Sequence, residues 1–230
     1  MLAQKLSFLC VVITSVGILV TPADGGGPDP ILSFQFTDMD GDFVAGLPGA
    51  GTFTSNDQPA TAGDVTRLTP IVTTADYNQG FPNLIADVNI TMALTLIDND
   101  SAIGNGAFFI IDADGDSLTG SITGEWTALD GAAAFLGNLF NVFVNDNSAV
   151  DATFDGPSGG SFSTAFDDPQ PFPGALVQLT LPDHWFGNGS FDDANTSANA
   201  QIVPDPAGLV LCLAGAASLV IRRGRGRGPC

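Results

Sequence analysis

Two five-residue segments of the 230-residue chain have the residue types and spacing to hold a metal ion. They are Asp38-Met39-Asp40-Gly41-Asp42 and Asp112-Ala113-Asp114-Gly115-Asp116. Each follows an apolar run, Ser33–Phe36 in the first case and Phe108–Ile111 in the second. Carboxylates at i, i+2 and i+4 around a glycine turn can converge on one hard cation, and Ca2+ takes about six to eight oxygens at roughly 2.3–2.6 Å. Neither segment completes an EF-hand. The sixth loop position is not glycine, and the twelfth residues are Gly49 and Thr123 instead of glutamate. A second reading stays open: Asp-Gly forms a type I′ hairpin turn, with the flanking aspartates solvated. The candidate Ca2+ ligands are therefore Asp38, Asp40, Asp42, Asp112, Asp114 and Asp116.

Catalytic signals are sparse. His184 is the single histidine, with Asp183 beside it in sequence. Sequence neighbours do not form a triad, and the chain has no Gly-x-Ser-x-Gly elbow. Two carboxylates can hydrolyse a glycoside, but nothing marks a pair among so many. The expectation is a protein that is not an enzyme, with a secreted hydrolase as the remaining catalytic alternative. Trp126, Trp185 and Tyr77 offer apolar ring faces on which a sugar can stack. Core packing is the ordinary use of such rings. Trp185 lies in the polar stretch from Asp183 to Asp193 and is the better sugar-stacking candidate.

Charge narrows the partners. The chain carries 25 acidic and 6 basic residues, a formal charge of −19. Nucleic-acid binding needs Lys and Arg against phosphate, so this balance argues against DNA or RNA. At 44% hydrophobic residues, the chain is also not a disordered acidic tail. Five of the six cations sit at the two ends: Lys5, Arg222, Arg223, Arg225 and Arg227. Between Asp24 and Val203 the only cation is Arg67, and every acid but Asp205 lies there. Glu125 is the sole glutamate. Aspartate competes for backbone N–H groups and favours turns over helix interiors. The body therefore leans towards strands and turns.

The two ends read as delivery signals. Residues 1–23 combine Lys5, the apolar run Leu6–Val20 and the small residues of Thr21-Pro22-Ala23, the pattern of a secretory signal helix cleaved after Ala23. Residues 203–230 hold Val203-Pro204-Asp205-Pro206, the apolar run Ala207–Ile221 and then Arg222, Arg223, Arg225 and Arg227. As a helix, fifteen apolar residues reach about 22 Å, and arginine snorkelling covers the deficit against a ~30 Å hydrocarbon layer. The arginines then stay on the cytoplasmic side and the body lies outside.

This three-part tail resembles the PEP-CTERM sorting signal of exopolysaccharide-producing Gram-negative bacteria. Asp205 stands where that family usually has Glu. The resemblance implies recognition by an exosortase, a membrane-embedded processing enzyme, with this chain as its substrate. It also implies export to the cell surface or extracellular matrix after transient anchoring in the inner membrane. The Leu-Pro-x-Thr-Gly motif of a Gram-positive wall signal is absent.

All three cysteines, Cys10, Cys212 and Cys230, fall in these end segments. The body thus has neither disulfides nor a cysteine metal site. Residues 24–30 read as a flexible lead-in, 31–191 as the body, and 192–202 (DDANTSANAQI) as a polar linker. Within the body, Ala86–Ile97 alternates Val88, Ile90, Met92, Leu94 and Leu96 with Asn89, Thr91, Ala93 and Thr95. That is the period of a strand with one buried face. Shorter strand signals recur at Ile31–Phe36, Ala107–Ile111, Ser117–Leu129, Phe135–Val144, Ala149–Phe154, Gly160–Phe166 and Ala175–Leu181, each bounded by Gly, Pro, Asn or Asp. Gly131–Leu139 is the segment expected to depart from this pattern, as a helix. The pattern predicts an all-β, antiparallel, jelly-roll-like β-sandwich of roughly eight to twelve strands.

The functional expectation is an exported structural or binding protein of the surface or matrix. A calcium-dependent polysaccharide-binding module is the alternative.

Overall fold

Alternation of apolar and polar residues sets the strands, and its faces decide how they pack. The computed structural model describes residues 29–77, 87–112, 114–129, 132–147, 151–168, 170–172 and 176–204. The expected signal helix, the expected transmembrane sorting helix and the sorting residues Asp205, Pro206, Arg222, Arg223, Arg225 and Arg227 lie outside them. Among the described residues, no helix is long and apolar enough to cross a membrane.

The described residues are all-β, as expected. The first four strands are β1 (Leu32–Ala45), β2 (Ala50–Asn56), β3 (Ala62–Arg67) and β4 (Thr73–Tyr77). Four long strands follow: β5 (Asp87–Leu96), β6 (Ser101–Ile111), β7 (Ser117–Leu129) and β8 (Ala132–Asn145). The last are β9 (Thr153–Asp155), β10 (Ser161–Ser163), β11 (Leu176–Pro182) and β12 (Phe191–Ile202). One turn of 3₁₀ helix, Phe186–Asn188, sits between β11 and β12.

The architecture is a closed barrel, which corrects the jelly-roll sandwich expected from sequence. Eight antiparallel strands run in the order β1-β2-β5-β6-β7-β8-β11-β12, and β12 pairs back onto β1. Period-two patterning reports which face of a strand is buried, and a sandwich and a barrel give it alike. Closure comes from one pairing that no local pattern encodes: Leu32 opposite Ile202, and Phe36 opposite Ala198.

That pairing carries two further corrections. The expected polar linker 192–202 is β12, which is hydrogen-bonded on both edges. Ala194, Thr196, Ala198, Ala200 and Ile202 point inward and are buried, while Asn195, Asn199 and Gln201 point out. The inward residues are small because Phe34 and Phe36 of β1 stand opposite Ala200 and Ala198 and fill the shared space. Small-against-large pairing is how a narrow barrel packs its interior. The expected helix at Gly131–Leu139 falls largely on β8, a fourteen-residue strand that buries Ala133, Phe135 and Leu139. Alanine's helix propensity loses here to burial against two neighbouring strands.

The barrel interior is the core. It holds Trp126, Phe53, Phe135, Met92 and Ile90 among others. Outward positions of β5 are Asn89, Thr91, Ala93 and Thr95. The register defines two rims. The first carries Leu32, Asn56, Ile111, Ser117, Asn145 and Ile202. The second carries Ala45, Ala50, Ser101, Leu129 and Ala132. The 3₁₀ turn plugs the second rim: the Phe186 ring lies 5.0 Å from both Phe43 and Trp126 and 5.8 Å from Phe53. Beyond the first rim, β3 continues the edge of β1 past the end of β2, and β4 lies beside β3. The small β9–β10 hairpin joins β4 through a bridge between Asp76 and Gly159. Arg67 ties this layer together. It donates to the carbonyls of Thr69 (2.7 Å) and Ser163 (2.6 Å) and lies over the Phe166 ring at 4.6 Å.

Candidate metal centre

The two Asp-x-Asp-Gly-Asp segments have different fates. The first is not a turn. Asp38 to Asp42 lies inside β1, with Met39 buried. Asp38 adopts a positive φ of 55° at a bulge in the pairing with β12. Its carbonyl accepts from Gln58 Nε2 and Thr61 Oγ1, each at 2.9 Å, and its Oδ1 accepts from Asn195 Nδ2 at 2.6 Å. Asp42 Oδ1 accepts from the Asp193 amide. Strand geometry spaces these carboxylates along the barrel wall. Asp38, Asp40 and Asp42 are not among the groups that converge closely enough to share an ion.

The second segment does converge. It connects β6 to β7 on the first rim, and the loop is closed by the Asp112 N–H donating to the Asp116 carbonyl at 2.9 Å. Gly115 turns the chain at φ 104°, a conformation that side chains resist. Asp112 Oδ1 accepts the amides of Asp114, Gly115 and Asp116 at 3.3, 3.0 and 2.8 Å. One carboxylate oxygen of each of Asp112, Asp114 and Asp116 lies within 4.8 Å of the other two.

The spare lone pairs define what this loop can hold. Asp112 Oδ2 accepts one amide, from Asp155 at 3.0 Å. Asp116 Oδ1 accepts the Asn147 amide, and its Oδ2 is buried without a hydrogen-bond partner. Asp114 Oδ1 is likewise buried and unpartnered. Asp116 as a whole is 1% exposed. A buried anionic oxygen with no donor is costly unless a cation or a proton meets it.

Burial pushes Asp112 up to about 7; its hydrogen bond to the Asp114 side chain and the Asp114 charge act in the same direction, against the amides of Asp155 and Asp116. Asp116 is raised by burial first, then by the charges of Asp146, Asp114 and Asp151. Asp155 is raised by burial and by Asp151 and Asp114. Tyr77, 2% exposed and with its hydroxyl unpartnered, is pushed well up by burial and by the charges of Asp112 and Asp155.

Asp146, Asn147, Asp151, Asp155 and Tyr77 carry no sequence signal for this site. They come from distant segments and reach the loop only through the fold. Trp185, the sugar-stacking candidate, is half-buried; it packs against Phe186 at 5.3 Å and its Nε1 is covered. Trp126 is a core ring. His184 sits on Phe191 at 4.8 Å and bonds the Pro182 carbonyl through Nδ1. Val203 and Pro204 follow β12 directly on the first rim.

Comparison with known proteins finds no matching family model, no matching curated protein and no matching solved structure.

Proposed function

We propose that this chain is an exported structural or binding protein of the cell surface or extracellular matrix, whose barrel is stabilised by Ca2+ at the β6–β7 loop. Its delivery rests on the two end segments, with an exosortase as the processing partner at Val203, Pro204, Asp205 and Pro206. The observation that carries the calcium reading is the convergence of Asp112, Asp114 and Asp116 with unpartnered, buried oxygens on Asp114 and Asp116. The chemistry fits a hard cation, since every spare donor is a carboxylate oxygen. No role in catalysis is assigned. Polysaccharide is the binding partner consistent with the resemblance of the tail.

The test is thermal melting of the full-length chain in Ca2+, in Mg2+ at matched concentration, and in Na+ at matched ionic strength. One site at 100 times its Kd adds about 2.7 kcal/mol, which for a domain of this size is a rise of roughly 5–10 °C. Mg2+ gives up water reluctantly and demands tighter geometry, so it stabilises less. Equal shifts in the two divalent ions would reduce the effect to general screening of an acidic protein.

A further inference from the structure

The outer face of β6, β7 and β8 is shaped as a trough. Along β7 the outward residues Thr119, Ser121 and Thr123 are small and half-buried. Register sets larger side chains on both sides of them. Thr119 lies between Phe109 of β6 and Phe143 of β8, Ser121 has Phe140 on its β8 side, and Thr123 lies between Asn105 and Asn138. Two of the rings share this face only because β8 is irregular. Phe140 and Phe143 are three residues apart, which in a regular strand puts them on opposite faces. A bulge opposite Gly120, with Asn141 at a φ of 52°, turns both outward, 40% and 39% exposed. Bulges re-aim side chains in this way beside functional surfaces. Thr123 Oγ1 donates to Asn105 Oδ1 at 2.5 Å, which leaves the Asn105 NH2 group as a donor at the edge of the trough. Glu125 is the only charged residue in the three strands, in a chain of formal charge −19.

We propose that this trough binds a neutral polysaccharide, one chain laid along β7 with sugar rings against Phe140 and Phe143 and hydroxyls bonded to Thr119, Ser121 and Thr123. Shape favours a linear occupant. The walls stand two strand spacings apart, about 10 Å, and a second convex barrel wall would not reach the floor between them. Chemistry then favours a sugar over a peptide. An added peptide strand takes its affinity from unpaired backbone at a sheet edge, and β6, β7 and β8 are each paired on both sides. The trough instead offers hydroxyls and side-chain amides, which both donate and accept, beside apolar ring faces. A pyranose presents the matching pair of surfaces, an apolar C–H face and a rim of hydroxyls. Charge favours a neutral polymer: a polyanion is repelled by the acidic chain, and a polycation finds its carboxylates elsewhere on it. The inference rests on the polysaccharide partner proposed above and deepens it; it makes no use of the calcium loop.

Affinity electrophoresis of the full-length chain tests this, in native gels containing dextran, hydroxyethylcellulose or galactomannan, with alginate as the acidic counterpart. The expected result is retardation in at least one neutral gel and none in alginate. Phe140→Ala and Phe143→Ala each weaken the affinity about tenfold or more. Ser121→Leu fills the floor while every ring stays in place; it weakens binding likewise, with a melting point within about 2 °C of the parent. Retardation in a neutral gel that all three variants retain, or retardation in alginate alone, overturns the trough and leaves a polysaccharide partner standing. A concentration-dependent dimer that Ser121→Leu dissolves, without retardation of the parent, makes this face a contact between copies and overturns the trough. Absence of retardation in all four gels overturns both the trough and the polysaccharide partner.

Discussion

The backbone N–H of Ile31 donates to the carbonyl of Ile202 at 2.8 Å, although the two residues bracket nearly the whole described chain. Leu32 and Ile202 are then register partners, and the pairing runs on to Phe43 opposite Phe191. The barrel is closed by its first and last strands. Both end segments therefore leave from the first rim, the rim that also bears the Asp112–Asp116 loop.

Enlarging the inward alanines of β12 tests this closure. Ala198 and Ala200 face Phe36 and Phe34 in a filled interior. Ala200→Leu costs about 1–3 kcal/mol by overpacking, read as a lower midpoint in urea. Asn199→Ala, outward on the same strand, changes stability by less than about 0.5 kcal/mol.

A row of glycines gives a second test. Gly104, Gly124 and Gly137 stand side by side across β6, β7 and β8, under the Phe135 ring. A Cβ on Gly124 would lie 2.4 Å from the Leu136 carbonyl oxygen and 2.7 Å from Phe135 Cζ. Backbone cannot yield as a side chain does, so Gly124→Ala destabilises by roughly 1–3 kcal/mol. Gly49→Ala has open space but a φ of 78°, so its cost comes only from backbone strain, about 1 kcal/mol. Denaturant midpoints rank the two variants.

Acid should stabilise the metal-free protein. Burial holds Asp112 protonated up to about pH 7, whereas the unfolded chain loses that proton near pH 4. Between these values the folded state binds more protons, so stability grows as pH falls through this window. Burial also raises Asp40, Asp64, Asp116 and Asp155, with the same sign. The melting point of metal-stripped protein is expected to climb from about pH 7.5 to 5, and to climb less in Asp112→Asn. Saturating Ca2+ inverts the trend, because protons then compete with the ion. A metal-free melting point that falls on acidification would remove Asp112 from the buried, protonated set.

The delivery proposal is checked by intact mass. Protein recovered from a host with an exosortase is expected to lack residues 1–23 and the tail beyond about residue 206. A mature species that still carries Arg222, Arg223, Arg225 and Arg227 would defeat the sorting assignment.

What was legible in the sequence depended on how locally each feature was encoded. The alternation in Val88–Leu96 announces β5, because large apolar side chains mark its buried face. β12 obeys the same alternation with alanine in the buried places, and its outward Asp and Asn residues made it read as a spacer. The loop Asp112–Asp116 was visible as spacing. Its twin at Asp38–Asp42 has the same spelling, but flanking strand pairings to β12 and β2 stretch it out. Asn147 and Asp155 were not legible as neighbours of this loop at all, since only the return of the chain over the rim brings their amides to Asp116 and Asp112.

Barrel closure by β12 also fixes an order of events. During synthesis from the N-terminus, β1 exists for some 150 residues before β12 appears. Until Phe191–Ile202 follows, the exposed edge of β1 and that of β11 have no mate, and the ring stays open. Contacts so distant along the chain form slowly, because the intervening loop must first be drawn together. The barrel is thus a structure completed from its far end: its seam forms only once the last strand is made.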